Sequence, residues 1–290
     1  MELISYTITT TKKSNAHRIY FVGDAHYGTK SFDVNLFNQT VDFIRADEQG
    51  HVILMGDMAE CINYDDERFD PRCISQECLP HLADLGRFQV EKVTELLTPI
   101  ANKIILLMDG NHEETLRTKH QIDFNWRLRD NLNDAGGEVK YGGDICGLRL
   151  KFVYVGKGNS RVIRTVKFLI SHGYGAGRTK GNKINKLLEM TQIMPNANGF
   201  FLAHHHDKVT DRINAFDICE GRSDSLALVE EKKLLGITGS FFKTYEKGQS
   251  NYASKKLYRP SDLGAIYAEI KPFYGEQSSK LLMDIRDLIL

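Results

Sequence analysis

One local pattern occurs five times along the chain and limits what it can fold into. A short apolar run ends, and polar residues with metal-binding side chains follow at once. Arg18 to Val22 leads into Gly23-Asp24-Ala25-His26, and His51 to Met55 leads into Gly56-Asp57-Met58-Ala59-Glu60. Lys103 to Met108 leads into Asp109-Gly110-Asn111-His112-Glu113. Val166 to Ile170 leads into Ser171-His172-Gly173, and Gly199 to Leu202 leads into Ala203-His204-His205-His206-Asp207. Short uninterrupted apolar runs predict strands buried on both faces.

Helical spacing fills the gaps between the first three strands. One stretch runs from Phe32 to about Ala46, with Val34, Phe37, Val41 and Ile44 on one face. Another runs from about Leu82 to Ile100, with Leu85, Phe88, Val93, Leu96 and Leu97 inward. Strand–helix–strand alternation predicts parallel βαβ units and an α/β fold. Ligands in such folds sit outside the carboxyl ends of the strands. All five polar clusters fall there, so residues far apart in sequence can converge. The glycines at these turns allow positive φ or close approach to a bound ion.

After about residue 208 short β-prone runs dominate, among them Asp211 to Phe216, Leu226 to Val229 and Gly264 to Ile270. They predict a second sheet, and the final segment from Lys280 to Leu290 reads as strand or helix. A weak boundary signal at Gly221 to Asp224 is not backed by any Pro/Ser-rich linker. The 290 residues, 41% of them hydrophobic, are therefore expected to form one domain. Ligand motifs lie in 18–210, and 211–290 adds second-sheet strands and a C-terminal extension.

The formal net charge is zero, which argues against a protein that wraps nucleic acid wholesale. The charge is nevertheless segregated. Eight Lys/Arg and no acid lie between Lys157 and Lys186, and six acids with one Arg lie between Asp57 and Asp70. A solvated face is one explanation. The other is a basic wall for an anionic substrate beside an acidic cation site. Five cysteines in no regular framework, and no signal peptide, point to a reducing cytosol. No run approaches the ~18 apolar residues of a membrane span. The expectation is a soluble cytoplasmic protein without a membrane partner.

Seven side chains in the clusters are candidate metal ligands: Asp24, His26, Asp57, Asn111, His172, His204 and His206. Mixed His/Asp/Asn ligation suits manganese, iron, zinc or nickel better than ions that want all-oxygen shells. Seven ligands are too many for one tetrahedral ion and suit two ions that share a bridging carboxylate. Such pairs activate water and stabilise an in-line displacement at phosphorus. Any one of these residues alone is weak evidence, since an Asp-x-His pair arises often by chance. The ordered conjunction carries the inference.

That ordered set (Asp-x-His, Gly-Asp-x-x-acid, Gly-Asn-His-Glu, His-Gly and x-His-x-His) resembles the calcineurin-like metallophosphoesterase superfamily over about residues 18–210. The Gly-Arg-Thr-Lys-Gly run after His172 and the Tyr252 to Pro260 segment look similar to phage and bacterial members of it. The resemblance implies two packed mixed β-sheets flanked by helices, a four-layer αββα sandwich. It implies two divalent metals, manganese first, with iron, zinc, nickel or magnesium as alternatives. Asp24, His26 and His206 would hold one ion, Asn111, His172 and His204 the other, and Asp57 would bridge them. His112 would be the general acid. Glu60 stands where the family often has an Asp that orients this histidine. Two positions depart from the family pattern. Ala203 replaces a glycine, and His205 replaces a small or hydroxyl residue. Strand alternation would place His204 and His206 on one face and His205 on the other.

The implied activity is hydrolysis of a phosphoester by metal-activated hydroxide, with a phosphodiester such as DNA or RNA ahead of a phosphomonoester on nucleotides or phosphoproteins. A non-enzymatic scaffold with the same fold is the alternative from another class, though it has no need of seven spaced ligands and a proton donor. Arg178, Lys180, Lys183 and Lys186, after the His172 loop, are candidate contacts to a substrate phosphate, Arg178 and Lys180 foremost, with a solvated helix face as the alternative. Lys183 and Lys186 would open a helix reaching about Met190. Trp126 is expected in the core, and the cysteines of the Cys73-x4-Cys78 segment are expected to be free.

Overall fold

A computed structural model of the chain describes all residues except 11, 67, 158–159, 176–178, 221–225, 249–250 and 275–279. Arg178 and the Gly221 to Asp224 boundary therefore lie outside the described residues.

Among the described residues, twelve strands form two six-stranded sheets. They are β1 (Glu2–Thr10), β2 (His17–Val22), β3 (Gly50–Leu54), β4 (Ile104–Met108), β5 (Lys140–Gly143), β6 (Ile145–Val155), β7 (Arg161–Ser171), β8 (Gly199–Leu202), β9 (Val209–Glu220), β10 (Leu226–Ile237), β11 (Ile266–Tyr274) and β12 (Lys280–Asp287). One sheet runs β1-β6-β7-β8-β10-β9 and the other β12-β11-β2-β3-β4-β5. In the second, β2, β3, β4 and β5 are parallel, and β11 and β12 close the edge antiparallel. In the first, β8 lies parallel between β7 and β10. The C-terminal ends of β2, β3, β4, β7 and β8 thus supply all five clusters. Three come from one sheet and two from the other.

The apolar runs are uninterrupted because each strand is covered twice. Ile19 and Phe21 of β2 point between the sheets, where Phe21 stacks on Phe201 of β8 with ring centroids 3.8 Å apart. Phe168 of β7 meets Phe201 edge-on. Tyr20 and Val22 point the other way, toward α1 (Val34–Ala46), α2 (Leu85–Leu97), α3 (Asn111–His120) and α4 (Phe124–Asp134). Phe37, Val41, Ile44, Val93, Leu97, Leu128 and Leu132 cover that outer face. The other sheet's outer face carries α5 (Lys180–Ile193) through Leu187 and Met190 against Leu169, Phe200 and Leu202. Each fully buried side chain of this size contributes about 1.5–3 kcal/mol. The result is the expected four-layer αββα sandwich.

Several expectations are corrected in detail. Residues after 208 do not form a sheet of their own, because β9 and β10 extend one sheet while β11 and β12 edge the other. Helix α1 starts at Val34, with the Asp33 carboxylate accepting the Leu36 N–H, and Val34 is exposed. The second predicted helix is three pieces, with 3₁₀ turns at Leu79–Asp84 and Thr98–Lys103 around α2. The Pro80 and Pro99 rings sit in the first turns of those 3₁₀ pieces, where no N–H is needed. Helix α5 is longer than expected, capped by Thr179. Trp126 is 44% exposed, with the Arg129 guanidinium over its ring, so it is a surface residue. Among the described residues, Cys61, Cys78 and Cys146 are free thiols. No described helix is long and apolar enough to cross a membrane.

Candidate metal centre

The five strand ends meet in one cleft between the sheets. Two groups of ligand atoms form there, each with its atoms within 4.8 Å of one another. Asp24, His26 and His206 make the first, and Asp57, His172 and His204 the second. The Asp57 carboxylate lies between them. Its Oδ2 is 3.2 Å from His172 Nε2 and 3.9 Å from His26 Nε2. Asn111 joins the second group through Oδ1, 2.8 Å from His204 Nδ1 and 3.2 Å from His172 Nε2. All seven predicted ligands are therefore brought together.

Backbone conformation shows how tightly these side chains are aimed. Eight described non-glycine residues have positive φ, and five of them are in this set: Asp24 (50°), His26 (51°), Asp57 (50°), His204 (64°) and His206 (51°). Left-handed backbone at such residues costs energy and persists where surrounding contacts impose it, as at functional sites. His204 and His206 follow the end of β8, so strand alternation does not aim them. Two left-handed turns do, while His205 between them is buried with its ring edge-on to that of His204, centroids 5.5 Å apart. The glycines contribute by close approach. A β-carbon on Gly110 would collide with the backbone nitrogen and Oδ1 of Asp57.

Hydrogen bonds behind the ligands fix which ring nitrogen faces the cleft. His172 Nδ1 lies 2.7 Å from the Met55 carbonyl, which leaves Nε2 toward Asp57. His26 Nδ1 lies 2.9 Å from a Glu60 carboxylate oxygen, which leaves Nε2 toward Asp24, Asp57 and His206. Such partners set the tautomer and raise the basicity of a ligating imidazole. His112 Nδ1 lies 2.6 Å from the Glu60 carbonyl oxygen and 3.8 Å from its carboxylate. Glu60 thus touches both histidines, but its carboxylate serves His26 and its backbone serves His112. His26, Glu60 and His112 form a third group of ligand type, which shares His26 with the first.

Asp57 also sits at the N-terminus of α3, where the free N–H of His112 donates to its Oδ1 at 3.0 Å. Glu113 had no place among the sequence candidates. It is buried, and its carboxylate accepts the N–H groups of Asp57, Met58 and Ala59 at 3.0, 2.7 and 3.3 Å, folding the Asp57 loop around α3. An acid directly after Asn-His was the available signal. Of the substrate candidates, Lys180 stands exposed at the first residue of α5.

The donor set fits cations. Asp24 is fully buried, and its Oδ1 has no hydrogen-bond partner among the described residues, although three imidazoles surround the pair of carboxylates. Burial opposes charge on His172, yet Asp57 and Asp24 push its pKa up to about 10. That proton balances buried negative charge which a divalent ion would balance instead. Burial and then His172 push His204 down to about 4, keeping it neutral and available as a ligand. Burial also opposes charge on His112, but Asp57 and Glu60 outweigh it and hold its pKa above the ordinary histidine value.

No family model matches the sequence, and no curated protein matches it. Solved structures with a similar course of chain include a conserved uncharacterised protein, a predicted phosphoesterase, from Streptococcus pneumoniae TIGR4. It is 14% identical, covers 94% of this chain and 90% of that one, and has a TM-score of 0.35. Vps29 from Chaetomium thermophilum is 8% identical over 93% and 95%, with a TM-score of 0.33. GAP50, the anchor in the inner membrane complex of Plasmodium, is 12% identical over 94% and 84%, with a TM-score of 0.42. The architecture here is an αββα sandwich of two six-stranded sheets. At identities this low the likenesses say nothing about activity, which has to be read from the cleft itself.

Proposed function

We propose that this chain is a two-metal phosphoester hydrolase acting on phosphodiesters, with His112 as the general acid. The observation that carries this reading is the pair of ligand groups on either side of Asp57, with His112 held at their rim. Asp24, His26 and His206 would hold one divalent ion, Asn111, His172 and His204 the other, with Asp57 shared. Two such ions lower the pKa of water and neutralise charge around phosphorus.

The chain's own groups do the rest. The Glu60 carbonyl keeps the Nδ1 proton of His112, so Nε2 is the atom that carries the transferable proton. Asp57 and Glu60 favour the protonated imidazole, which can then donate to the departing alkoxide. The ring edge of His112 packs against His26 at 4.7 Å between centroids, which places this proton beside the first ligand group. Exposed Lys180 and the first turn of α5, which has no acid, favour an anionic substrate approaching from that side. The preference for a diester, nucleic acid included, rests on that exposed charge, and manganese is the first ion to try.

The test is Mn²⁺-dependent hydrolysis of bis-p-nitrophenyl phosphate against p-nitrophenyl phosphate, with Asp57→Asn as control. Higher efficiency on the diester supports the proposal. Higher efficiency on the monoester moves the substrate to nucleotides or phosphoproteins. Activity no higher than the control with any divalent metal leaves a scaffold as the better description.

A further inference from the structure

We infer that α5 is a positioning element of the metal centre, gripping through Lys183 and Lys186 the two loops that carry His172, His204 and His206. This rests on the metal reading above. Lys183 is buried, 7% exposed, although it belongs to the most basic segment of the chain. Its Nζ donates to the His205 carbonyl at 2.9 Å and to Asp207 Oδ2 at 2.6 Å. His205 lies between the two ligands of the last motif. One turn further along α5, Lys186 Nζ donates to the Tyr174 carbonyl and lies 4.5 Å from the Tyr174 ring centroid. Tyr174 follows His172 by two residues. Residues three apart share a helix face, so one face of α5 holds both loops.

The physical need is visible in the backbone. His204 and His206 are both left-handed, and Gly173 beside His172 has φ +101°. A strained loop keeps such a conformation only when contacts around it leave no alternative. A buried ammonium is costly unless paired, and here a carboxylate and a carbonyl pair it. The same face of α5 continues into Leu187 and Met190, which fix it to the sheet, so the grips stand on a rigid base. Lys183 and Lys186 are thereby removed from the set of basic residues available to a substrate phosphate. Lys183 is a positioning residue with no contact to the ligand atoms.

The test compares Lys183→Met with the unaltered protein in two readouts, and uses Lys180→Met as a control for lost surface charge. In metal-free protein, amide hydrogen exchange at residues 203–207 should speed up about tenfold or more, with β2, β3 and β7 unchanged. Mn²⁺ affinity, followed by electron paramagnetic resonance, should fall about 10–100-fold, the range for lost support behind a metal ligand. Lys180→Met should alter neither. If Lys183→Met does not fold, Asp207→Asn keeps the lysine and should shift both readouts in the same direction. Unchanged exchange overturns the inference. Faster exchange with unchanged Mn²⁺ affinity also overturns it, as does a raised KM with metal binding intact, the mark of a phosphate contact. An unaltered protein that takes up no Mn²⁺ overturns the metal reading itself, while the exchange comparison in metal-free protein still decides whether Lys183 restrains the loop.

Discussion

The Glu60 carboxylate lies 2.9 Å from Nδ1 of His26 and 3.8 Å from Nδ1 of His112. Glu60→Gln should therefore act on metal binding before it acts on proton donation. An amide in place of the carboxylate makes His26 a poorer ligand, and loss of such a partner costs about 10–100-fold in metal affinity. The His112 ring stays oriented, because the Glu60 carbonyl survives the substitution. Mn²⁺ titration of the variant, followed by activity at saturating Mn²⁺, checks this. Activity that saturating metal does not recover would assign the carboxylate to His112 instead.

Asp57→Asn and His112→Ala should separate metal binding from proton transfer. Asp57 lies between both ligand groups, so its loss should remove at least one ion and abolish turnover. His112→Ala should retain both ions and lose about 10²–10⁴ in turnover on an alkyl leaving group. The loss should shrink with p-nitrophenolate, which departs without a proton. Metal content by elemental analysis and turnover on two leaving groups form the measurement. Full activity of His112→Ala on the poor leaving group would remove the general-acid role.

Gly56→Ala tests the loop geometry independently of activity. Gly56 has φ +89°, and a β-carbon there would meet the Gly110 backbone nitrogen at 2.6 Å. Both the conformation and the space exclude a side chain, so the substitution should cost about 1–3 kcal/mol. Denaturant unfolding of metal-free protein should show the loss. An unchanged midpoint would mean that this turn relaxes freely and does not fix Asp57.

The strand ends were legible because burial on both faces leaves an apolar run that stops where polar ligands begin. The candidate ligands followed from their order along five such runs. Three things were not legible. The aim of His204 and His206 comes from left-handed backbone, which a run of three histidines does not announce. The role of Glu113 depends on three backbone donors that meet only once α3 is docked on the β3 loop. The split of the last four strands between two sheets is a matter of pairing partners, and residues such as Leu234 and Ile266 carry the same apolar pattern in either sheet.

His17 and His51 lie outside the cleft and predict how stability responds to acid. Their rings pack 5.9 Å apart, and His17 sits 5.2 Å from Phe152 with neither ring nitrogen hydrogen-bonded. Burial, reinforced by Arg18 for His17 and by His17 for His51, pushes each pKa down to about 4. The unfolded chain binds these protons near the ordinary value of ~6.5, so it gains protons first as pH falls. Their contribution to stability is complete above about pH 6.5, is lost progressively toward pH 4, and falls no further below it. Phenylalanine at position 17 would keep the packing against Phe152 without the titration. Melting temperatures of metal-free protein between pH 7.5 and 4.5 should therefore fall less steeply for His17→Phe than for the unaltered chain. The difference between the two curves removes the contribution of the cleft histidines, which is common to both. Parallel curves would show that His17 takes up its proton in the folded state at little cost.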